Sequence, residues 1–250
     1  MSTRSDALSP DDAAPDAADE SDVPPRTDDR FYGRRRGRKL KPQRRSAVET
    51  LLPRLRLDLS APPPEPLAQL FDVAVSETWL EIGFGGGEHL AEQAGRNPDV
   101  GFIGAEPFVN GVAKLVSAVG AAGLGNVRIH DDDARPLLAW LPDAAIARAF
   151  ILFPDPWPKR RHGERRIVSA PVLAQLARVM RPGATLSIAS DIEAYIIWAR
   201  GAVASNGGFL ETARDTLTRP SDWAPTRYEE KALAAGRICR YCEFVRLDGA

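Results

Sequence analysis

The sequence predicts an α/β fold built on a mostly parallel β-sheet. From about residue 67 onward, short apolar runs typical of β-strands alternate with helical patterns. A glycine-rich segment follows the first of these runs, and acidic residues follow the next ones. Strands and helices that alternate in this way form a parallel sheet with helices on both of its faces.

The individual elements can be placed from the same patterns. Strands are predicted at residues 79–82, 102–105, 127–130, 149–153 and 185–189, and helices at residues 109–119, 171–180 and 193–203. Two further extended segments, 209–212 and 237–246, are not separated by a helix long enough to indicate another strand–helix–strand unit. An antiparallel pair at the edge of the sheet is the arrangement that these two segments suggest.

Length and composition indicate one catalytic-size domain behind an N-terminal extension. The 250 residues are 44% hydrophobic, which is enough for one full core. Residues 1–30 contain nine acidic and three basic residues, so their net charge is −6, while the rest of the chain carries +5 against −1 for the whole. This tail has almost no large apolar side chain, and we expect it to be disordered.

The segment from residue 31 to residue 66 joins this tail to the main domain, which we expect to span residues 67–250. Eight Arg and Lys residues between positions 34 and 45 form a basic arm whose natural partner is phosphate. The alternative is a charged tract that only increases solubility. A short helix is predicted near residues 47–52, and the proline-rich residues 62–66 are interpreted as a linker.

Cysteine usage and hydropathy exclude some classes of protein. Cys239 and Cys242 form one C-x-x-C pair without a second pair of ligands nearby, so we expect no metal site. No run of 18 apolar residues occurs, and no charged-then-apolar leader opens the chain, so we expect no membrane partner. A cytoplasmic location is the resulting expectation. Separately, we expect the protein to be a monomer.

The first predicted strand ends in a glycine-rich turn, with the sequence LEIGFGGGEHL. Gly83 and Gly85 supply backbone that a cofactor can approach closely. A dinucleotide fingerprint would need glycine where Glu88 stands, and the Gly-Lys-Ser/Thr of a phosphate-binding P-loop is absent. Glu81 and Glu88 would repel a pyrophosphate but suit a ligand that carries positive charge. S-adenosylmethionine, with its sulfonium and amino groups, is such a ligand.

Acidic residues also follow the next two predicted strands. Glu106 follows the second strand, where α/β nucleotide folds hold a ribose, and its carboxylate can accept hydrogen bonds from both ribose hydroxyls. Asp133 lies after the third strand, where a side chain can reach an adenine amino group. A carboxylate after a strand is more often a helix cap, so each acid alone is weak evidence. Acids after three successive strands favour a cofactor site.

The fourth predicted strand ends in the segment FPDPWPKRRHGERRIV. Flanking prolines fix the backbone of Asp155 at the carboxyl end of the sheet, and Trp157 offers a ring face on which a planar base can stack. The alternative is a proline-rich turn with a surface tryptophan. Basic residues follow, as single-stranded nucleic-acid binding requires; they are Lys159, Arg160, Arg161, His162, Arg165 and Arg166.

Together these segments resemble the bacterial tRNA (guanine-N7-)-methyltransferases. The resemblance runs from about Phe31 to Arg246 and also includes the segments ASDIEAY and PTRYEEK, in the order that the family shows. It implies a Rossmann-like methyltransferase fold, with a mostly parallel seven-stranded sheet and one antiparallel edge strand. It further implies methyl transfer from S-adenosylmethionine to N7 of a guanine in the variable loop of tRNA, without a metal. Pro107 and the acidic tail depart from the family pattern.

The resemblance also implies roles for single residues. The acids matching cofactor-contacting or catalytic positions are Glu81, Glu106, Asp133 and Asp155, of which Asp155 is expected to be catalytic. Residues matching substrate-contacting positions are Lys159, Arg161, Arg165, Arg166, Asp191, Thr226, Arg227, Tyr228 and Glu229. Residues 226–229 are expected to form a loop in which the carboxylate of Glu229 accepts hydrogen bonds from guanine N1 and N2. A simple connecting loop is the alternative.

Two other functions remain open at this point. A methyltransferase for a small molecule or a protein would have the same glycine-rich turn, but the basic stretch after Trp157 argues against it. An RNA-binding protein without catalytic activity would keep the basic residues. Against this second possibility, acids are present at all of the matching positions.

Overall fold

Strands and helices alternate along the chain, as the apolar patterns predict. The computed structural model describes residues 33–249, without the side chains at positions 160, 214 and 215, so the disorder expected of residues 1–30 lies outside the described residues. The strands are β1 Glu77–Ile82, β2 Val100–Ala105, β3 Val127–His130, β4 Ile146–Leu152, β5 Met180–Ser190, β6 Phe209–Thr216 and β7 Arg240–Arg246. The helices are α1 Pro42–Leu55, α2 Glu88–Arg96, α3 Val109–Ala122, α4 Ala134–Trp140, α5 Ala170–Val179, α6 Glu193–Asn206 and α7 Arg227–Ala234.

The seven strands form one sheet in the order β3-β2-β1-β4-β5-β7-β6. β1 to β5 are parallel, and β7 pairs antiparallel with both β5 and β6. The predicted Rossmann-like fold is therefore confirmed, together with an antiparallel pair at one edge. The outermost strand is β6, whereas the antiparallel strand β7 lies one position inside it. The reason is that the chain, after α6, enters β6 at the edge of the sheet and leaves the position next to β5 open. β7, the last strand, then pairs between β5 and β6.

Helices cover both faces of the sheet because the side chains of its strands alternate between faces. On one face, α4, α5 and α6 pack against a core that includes Ile103, Ile151 and Leu186. On the other face, α1, α2 and α3 pack over Phe102 and its neighbours. A smaller cluster on β4, β5 and β7 lies beneath α7 and contains Phe150, Leu152, Ala189, Trp223, Ala232, Cys239 and Tyr241.

The N-terminal segment is more ordered than the sequence indicates. Residues 33–249 belong to one compact unit, and α1 begins at Pro42, five residues before the predicted start of the short helix. Leu52 and Leu55 are buried in the same cluster as residues of α3, and Leu57 lies in the main core. Residue 67 is therefore not a boundary in packing, because the apolar side of α1 completes the core over α3.

Within residues 33–249, no helix is both long and apolar enough to cross a membrane. Among the same residues, no three His, Cys, Asp or Glu side chains are grouped in a way that would hold a metal ion. Cys239 and Cys242 are both buried and form no disulfide.

Candidate active site

A cavity of about 340 Å³ opens at the carboxyl ends of the parallel strands. It lies where the strand order reverses between β1 and β4, the place at which open α/β sheets bind their ligands. Seven of the predicted site residues line this cavity: Gly83, Gly85, Glu106, Asp133, Asp155, Arg165 and Tyr228. The sequence alone had indicated a site at this end of the sheet but not which of its residues share one space.

The glycine-rich turn after β1 forms one wall of the cavity. Gly85 adopts a φ of 55°, in the left-handed region that favours glycine. The turn also lies directly against the first residues of α3. A Cβ atom placed on Gly111 would be only 2.0 Å from the backbone oxygen of Gly85, so a side chain there would push the turn away. The close approach fixes the turn without filling the space beside it.

Glu106, directly after β2, is buried and lines the cavity. Its carboxylate is buried and accepts hydrogen bonds from the backbone N–H groups of Gly85 (2.7 Å) and Phe108 (2.9 Å). Burial raises the pKa of Glu106 to about 7, against the lowering effect of these two bonds, and the negative charges of Asp155 and Glu81 raise it further. Glu106 can therefore change its ionisation near neutral pH.

Asp133 and Glu81 are placed differently from Glu106. Asp133 caps α4, where its carboxylate accepts from the backbone N–H and the guanidinium of Arg135 at 2.8 and 2.7 Å. It lines the cavity while also serving as the helix cap that is common after strands. Glu81 is buried at the tip of β1 and does not line the cavity; its carboxylate lies 2.7 Å from His89 Nδ1.

Asp155 lies in a constrained loop that follows β4. Its side chain is exposed and lines the cavity. On either side of it, Phe153 and Trp157 have φ values of 50° and 40°, which non-glycine residues rarely adopt. The guanidinium of Arg166 donates to the backbone oxygens of Pro156 (3.0 Å) and Trp157 (3.1 Å), and so holds the loop from behind.

Arg166 does not line the cavity. Its guanidinium lies over Trp198 at 4.6 Å and donates to the two loop carbonyls, so these contacts stabilise the loop, and the expected contact with substrate stays a prediction. Arg165 lies over the ring of Trp157 at 5.1 Å, and the edge of His162 contacts the same ring. Lys159 and Arg161 are exposed beside them.

The segment 226–229 begins α7 and is not the loop that the sequence suggested. Thr226 and Glu229 form a capping box, in which each side chain bonds the backbone of the other. Glu229 is buried, and its carboxylate also accepts from Tyr241 and pairs with Arg219 at 3.0 Å. The expected contact with guanine is therefore corrected, because the acceptors of Glu229 face donors of the same chain. The T-x-x-E pattern of a capping box was the overlooked signal.

Tyr228, by contrast, faces the cavity from the first turn of α7. Its ring lies against Gly85, since a Cβ on that glycine would be 3.0 Å from the ring. Burial and the charges of Glu106 and Asp155 raise the pKa of Tyr228, so its hydroxyl is a neutral donor near these two acids. Arg227 is exposed. Asp191 pairs with Arg237 at 2.6 Å and does not line the cavity.

The basic arm contributes a wall that the sequence did not predict. Gly33 and Arg34 line the cavity. The arm is held on α3: the Val109 N–H donates to the oxygen of Arg35 at 3.0 Å, and Asn110 bonds the backbone of residues 37 and 38. The Arg35 side chain pairs with Asp132 at 2.7 Å. The arm thus connects the basic surface with the cavity.

The fold and the site define a Rossmann-like methyltransferase domain. Residues 76–240 match the family described as "Putative methyltransferase". The chain is 49% identical to the tRNA (guanine-N(7)-)-methyltransferase of Chelativorans sp. (strain BNC1) over 227 residues, which are 90% of this chain and 98% of the relative. This protein therefore belongs to the tRNA (guanine-N(7)-)-methyltransferase family.

Solved structures support the fold alone. The 16S rRNA (adenine(1408)-N(1))-methyltransferase from Catenulisporales acidiphilia is 18% identical with a TM-score of 0.53, covering 78% of this chain and 95% of that one. The [4+2]-cyclase SpnF is 16% identical with a TM-score of 0.51, covering 77% and 85%. Because a cyclase shares the architecture, the fold cannot by itself decide the reaction.

Proposed function

We propose that this protein transfers the methyl group of S-adenosylmethionine to N7 of a guanine in tRNA. The observation that carries the proposal is the convergence of Glu106, Asp155 and Tyr228 on one cavity with basic side chains at its rim. The reaction named for a relative that is 49% identical supports it. The resemblance of the sequence motifs implies that the guanine lies in the variable loop.

The residues of the cavity fit S-adenosylmethionine. Each carboxylate has about four lone-pair sites, and the backbone uses only two of those on Glu106, so the two ribose hydroxyls can be accepted there. Glu106 and Asp155 supply negative charge that suits a cationic cofactor, and Gly83 and Gly85 leave room for it. When bound, the cofactor supplies an electrophilic methyl group on a sulfonium.

The rim of the cavity fits RNA. Trp157 offers a ring for stacking a base beside the guanidinium of Arg165, and stacking of this kind tolerates any base. Cations exposed near it and on the arm can contact phosphates. Among these exposed residues are Arg34, Arg36, Arg38, Lys39, Lys41, Arg45, Lys159, Arg161 and Arg227.

Asp155 is the residue to which we assign the chemical step. Guanine N7 carries a lone pair at neutral pH, so its attack on the methyl group needs no general base. The reaction needs N7, methyl carbon and sulfur in line, and it moves positive charge toward the purine. A carboxylate fixed between Pro154 and Pro156 can orient the reactants and stabilise that charge.

A transcript made with 7-deazaguanosine gives a sharp test. The purified protein is incubated with labelled S-adenosylmethionine and either ordinary tRNA transcript or one in which CH replaces N7 in every guanine. We expect methylation of the first transcript, 7-methylguanosine in its digest by mass spectrometry, and no label in the second. Similar binding of both RNAs is the control. Label in the 7-deaza transcript would contradict the assignment of N7.

We further propose that the enzyme acts as a monomer in the cytoplasm, where tRNA is found. Light scattering of the purified protein, with and without tRNA, tests the oligomeric state. A dimer that loses activity on dilution would contradict it.

A further inference from the structure

A hydrogen-bonded series of buried polar side chains begins at the end of β1, next to the candidate active site. His89 on α2 is 1% exposed, and its Nδ1 lies 2.7 Å from the carboxylate of Glu81. Its Nε2 lies 3.4 Å from Nε2 of Gln93, one helical turn later. The same nitrogen of Gln93 donates to the backbone oxygen of Asp222 at 2.6 Å. Three buried side chains thus connect the tip of β1 to a loop 129 residues away from Gln93 in the sequence.

The hydrogen bonds assign the roles of both His89 nitrogens. The oxygen of Asp222 can only accept, so the amide nitrogen of Gln93 must face it, and the amide oxygen accepts from Asn97 at 3.3 Å. The second N–H of Gln93 then points to His89 Nε2, which must accept. With Nε2 as the acceptor, Nδ1 carries the hydrogen that is donated to Glu81.

Asp222 belongs to the loop 217–226, which leads directly into α7. Its carboxylate pairs with Arg148 of β4 at 2.7 Å, so this residue is held through both its backbone and its side chain. The next residue, Trp223, is 2% exposed and packs against Phe150 and His89. Tyr228, whose ring lies against Gly85 in the cavity, is only five positions further along the sequence.

We propose that His89 is a positioning residue for methyl transfer. It holds the end of β1, where Ile82 and Gly83 line the cavity, in a fixed relation to the loop 217–226, which leads to Tyr228. The proposal rests on the proposed function, because it connects the cofactor-binding turn after β1 with the side of the site at which RNA is expected. His89 itself touches neither ligand. Its Nδ1 bonds Glu81 and its Nε2 bonds Gln93. Substitutions that remove one of these bonds and keep the other can therefore test each contact separately.

Two substitutions of His89 each keep one of its two bonds. His89→Asn retains an amide N–H near the place of Nδ1 and loses the bond to Gln93. We expect it to leave the Kd for S-adenosylhomocysteine within about twofold, and to raise the Kd for tRNA about tenfold, the effect of one lost buried hydrogen bond. His89→Gln retains an acceptor for Gln93 and loses the bond to Glu81, so about tenfold weaker cofactor binding is expected instead.

Phe150→Leu is the matched control. It removes aromatic contacts with His89 (ring centres 4.7 Å apart) and with Trp223 (5.8 Å) but neither hydrogen bond. We expect a lower melting temperature with both dissociation constants unchanged. If the His89 variants instead weaken both ligands equally, in proportion to their loss of melting temperature, His89 is only a core residue and the proposal is overturned. Unchanged constants in both variants overturn it as well.

Gln93→Leu keeps the proposal testable should the His89 variants fail to fold. It leaves the bond between His89 and Glu81 in place, so it should weaken tRNA binding and spare cofactor binding. Wild-type affinity for tRNA in this variant would overturn the proposal. If the wild-type protein binds both ligands but transfers no methyl group, the proposed function has failed, whereas the dissociation constants still decide the role of His89.

Discussion

The backbone N–H of Gly85 donates a 2.7 Å hydrogen bond to the buried carboxylate of Glu106, and so joins the turn after β1 to the end of β2. The bond links the shape of the glycine-rich turn to the residue that we assign to the ribose. Its acceptor is a group whose pKa burial raises to about 7, from an ordinary value of 4.5. Cofactor binding should therefore respond to pH in the neutral range.

We predict that S-adenosylmethionine binds about tenfold more weakly at about pH 6 than at about pH 8. Both the ribose hydroxyls and the positive cofactor favour the ionised carboxylate, so below pH 7 binding must first remove a proton from Glu106. Calorimetry in buffers of different ionisation enthalpy measures that proton. Glu106→Gln should bind weakly and equally at both pH values, and a pH-independent wild-type affinity would remove the ribose assignment.

The same shift in pKa predicts how the stability of the ligand-free protein depends on pH. Because the pKa of Glu106 is raised on folding, its contribution is fully present below about pH 4.5 and is lost as the pH rises through 7. Melting curves of the wild type and Glu106→Gln should therefore converge at low pH. The variant should gain relative stability toward pH 8. A constant difference in melting temperature across this range would contradict the shift.

Two neighbouring arginines should behave differently when each is replaced by alanine. Arg166→Ala removes two bonds to loop carbonyls and the stacking on Trp198, so we expect a loss of about 1 to 3 kcal/mol in the free energy of unfolding. Arg161 is exposed, and Arg161→Ala should instead weaken tRNA binding and reduce its salt dependence. Thermal melting and binding at several salt concentrations separate the two. Equal melting temperatures would contradict the role given to Arg166.

The basic arm can be tested by charge neutralisation. Arg35 already pairs with Asp132, so the exposed residues Arg36, Arg38, Lys39 and Lys41 are the ones to replace by glutamine. We expect weaker tRNA binding with a flatter dependence on salt, because fewer counterions are released. Removal of residues 1–30 is the comparison and should leave catalysis nearly intact. Identical salt slopes for wild type and neutralised arm would show that the arm does not touch RNA.

Local sequence patterns predicted a mostly parallel sheet with helices on both faces, and the family resemblance implied its seven strands. Neither was sufficient for every site residue. The strands were predicted because their apolar runs are buried on both faces. Glu106 was predicted because a carboxylate after the second strand of such a sheet lies where α/β nucleotide folds hold a ribose. The contacts that Glu229 and Arg166 make within the protein were not predicted, for a physical reason. Their partners, Tyr241 and the carbonyls of residues 156 and 157, come together only through tertiary packing.

Arg34 was missed in the same way. Its position in a basic tract indicated phosphate binding, and nothing local shows that Asn110 holds the arm against the cavity. Asp133 shows the opposite case, since the sequence allowed either a helix cap or a ligand contact. The structure makes it a cap that also lines the cavity.

Asp155→Asn tests whether a fixed negative charge at the end of β4 assists the chemical step. The substitution keeps the shape of the side chain and removes its charge, and the loop is held from behind by Arg166. We predict a single-turnover rate lower by about tenfold to a thousandfold, the range of one electrostatic contact, with little change in melting temperature. A normal rate in this variant would contradict the role.

The pH dependence of that rate distinguishes electrostatic assistance from general base catalysis. With cofactor and tRNA both saturating, ionisation of Glu106 affects only affinity, and N7 has no proton to lose, so the wild-type rate should be flat between about pH 6 and 8. His162, beside Trp157, is the group to consider otherwise. Desolvation and the charges of Arg165 and Arg161 lower the pKa of His162, so it would be neutral and able to accept a proton over most of this range. The electrostatic role of Asp155 would be contradicted if the saturated rate fell toward pH 6 and this pH dependence disappeared in His162→Gln. That result would identify His162 as a general base.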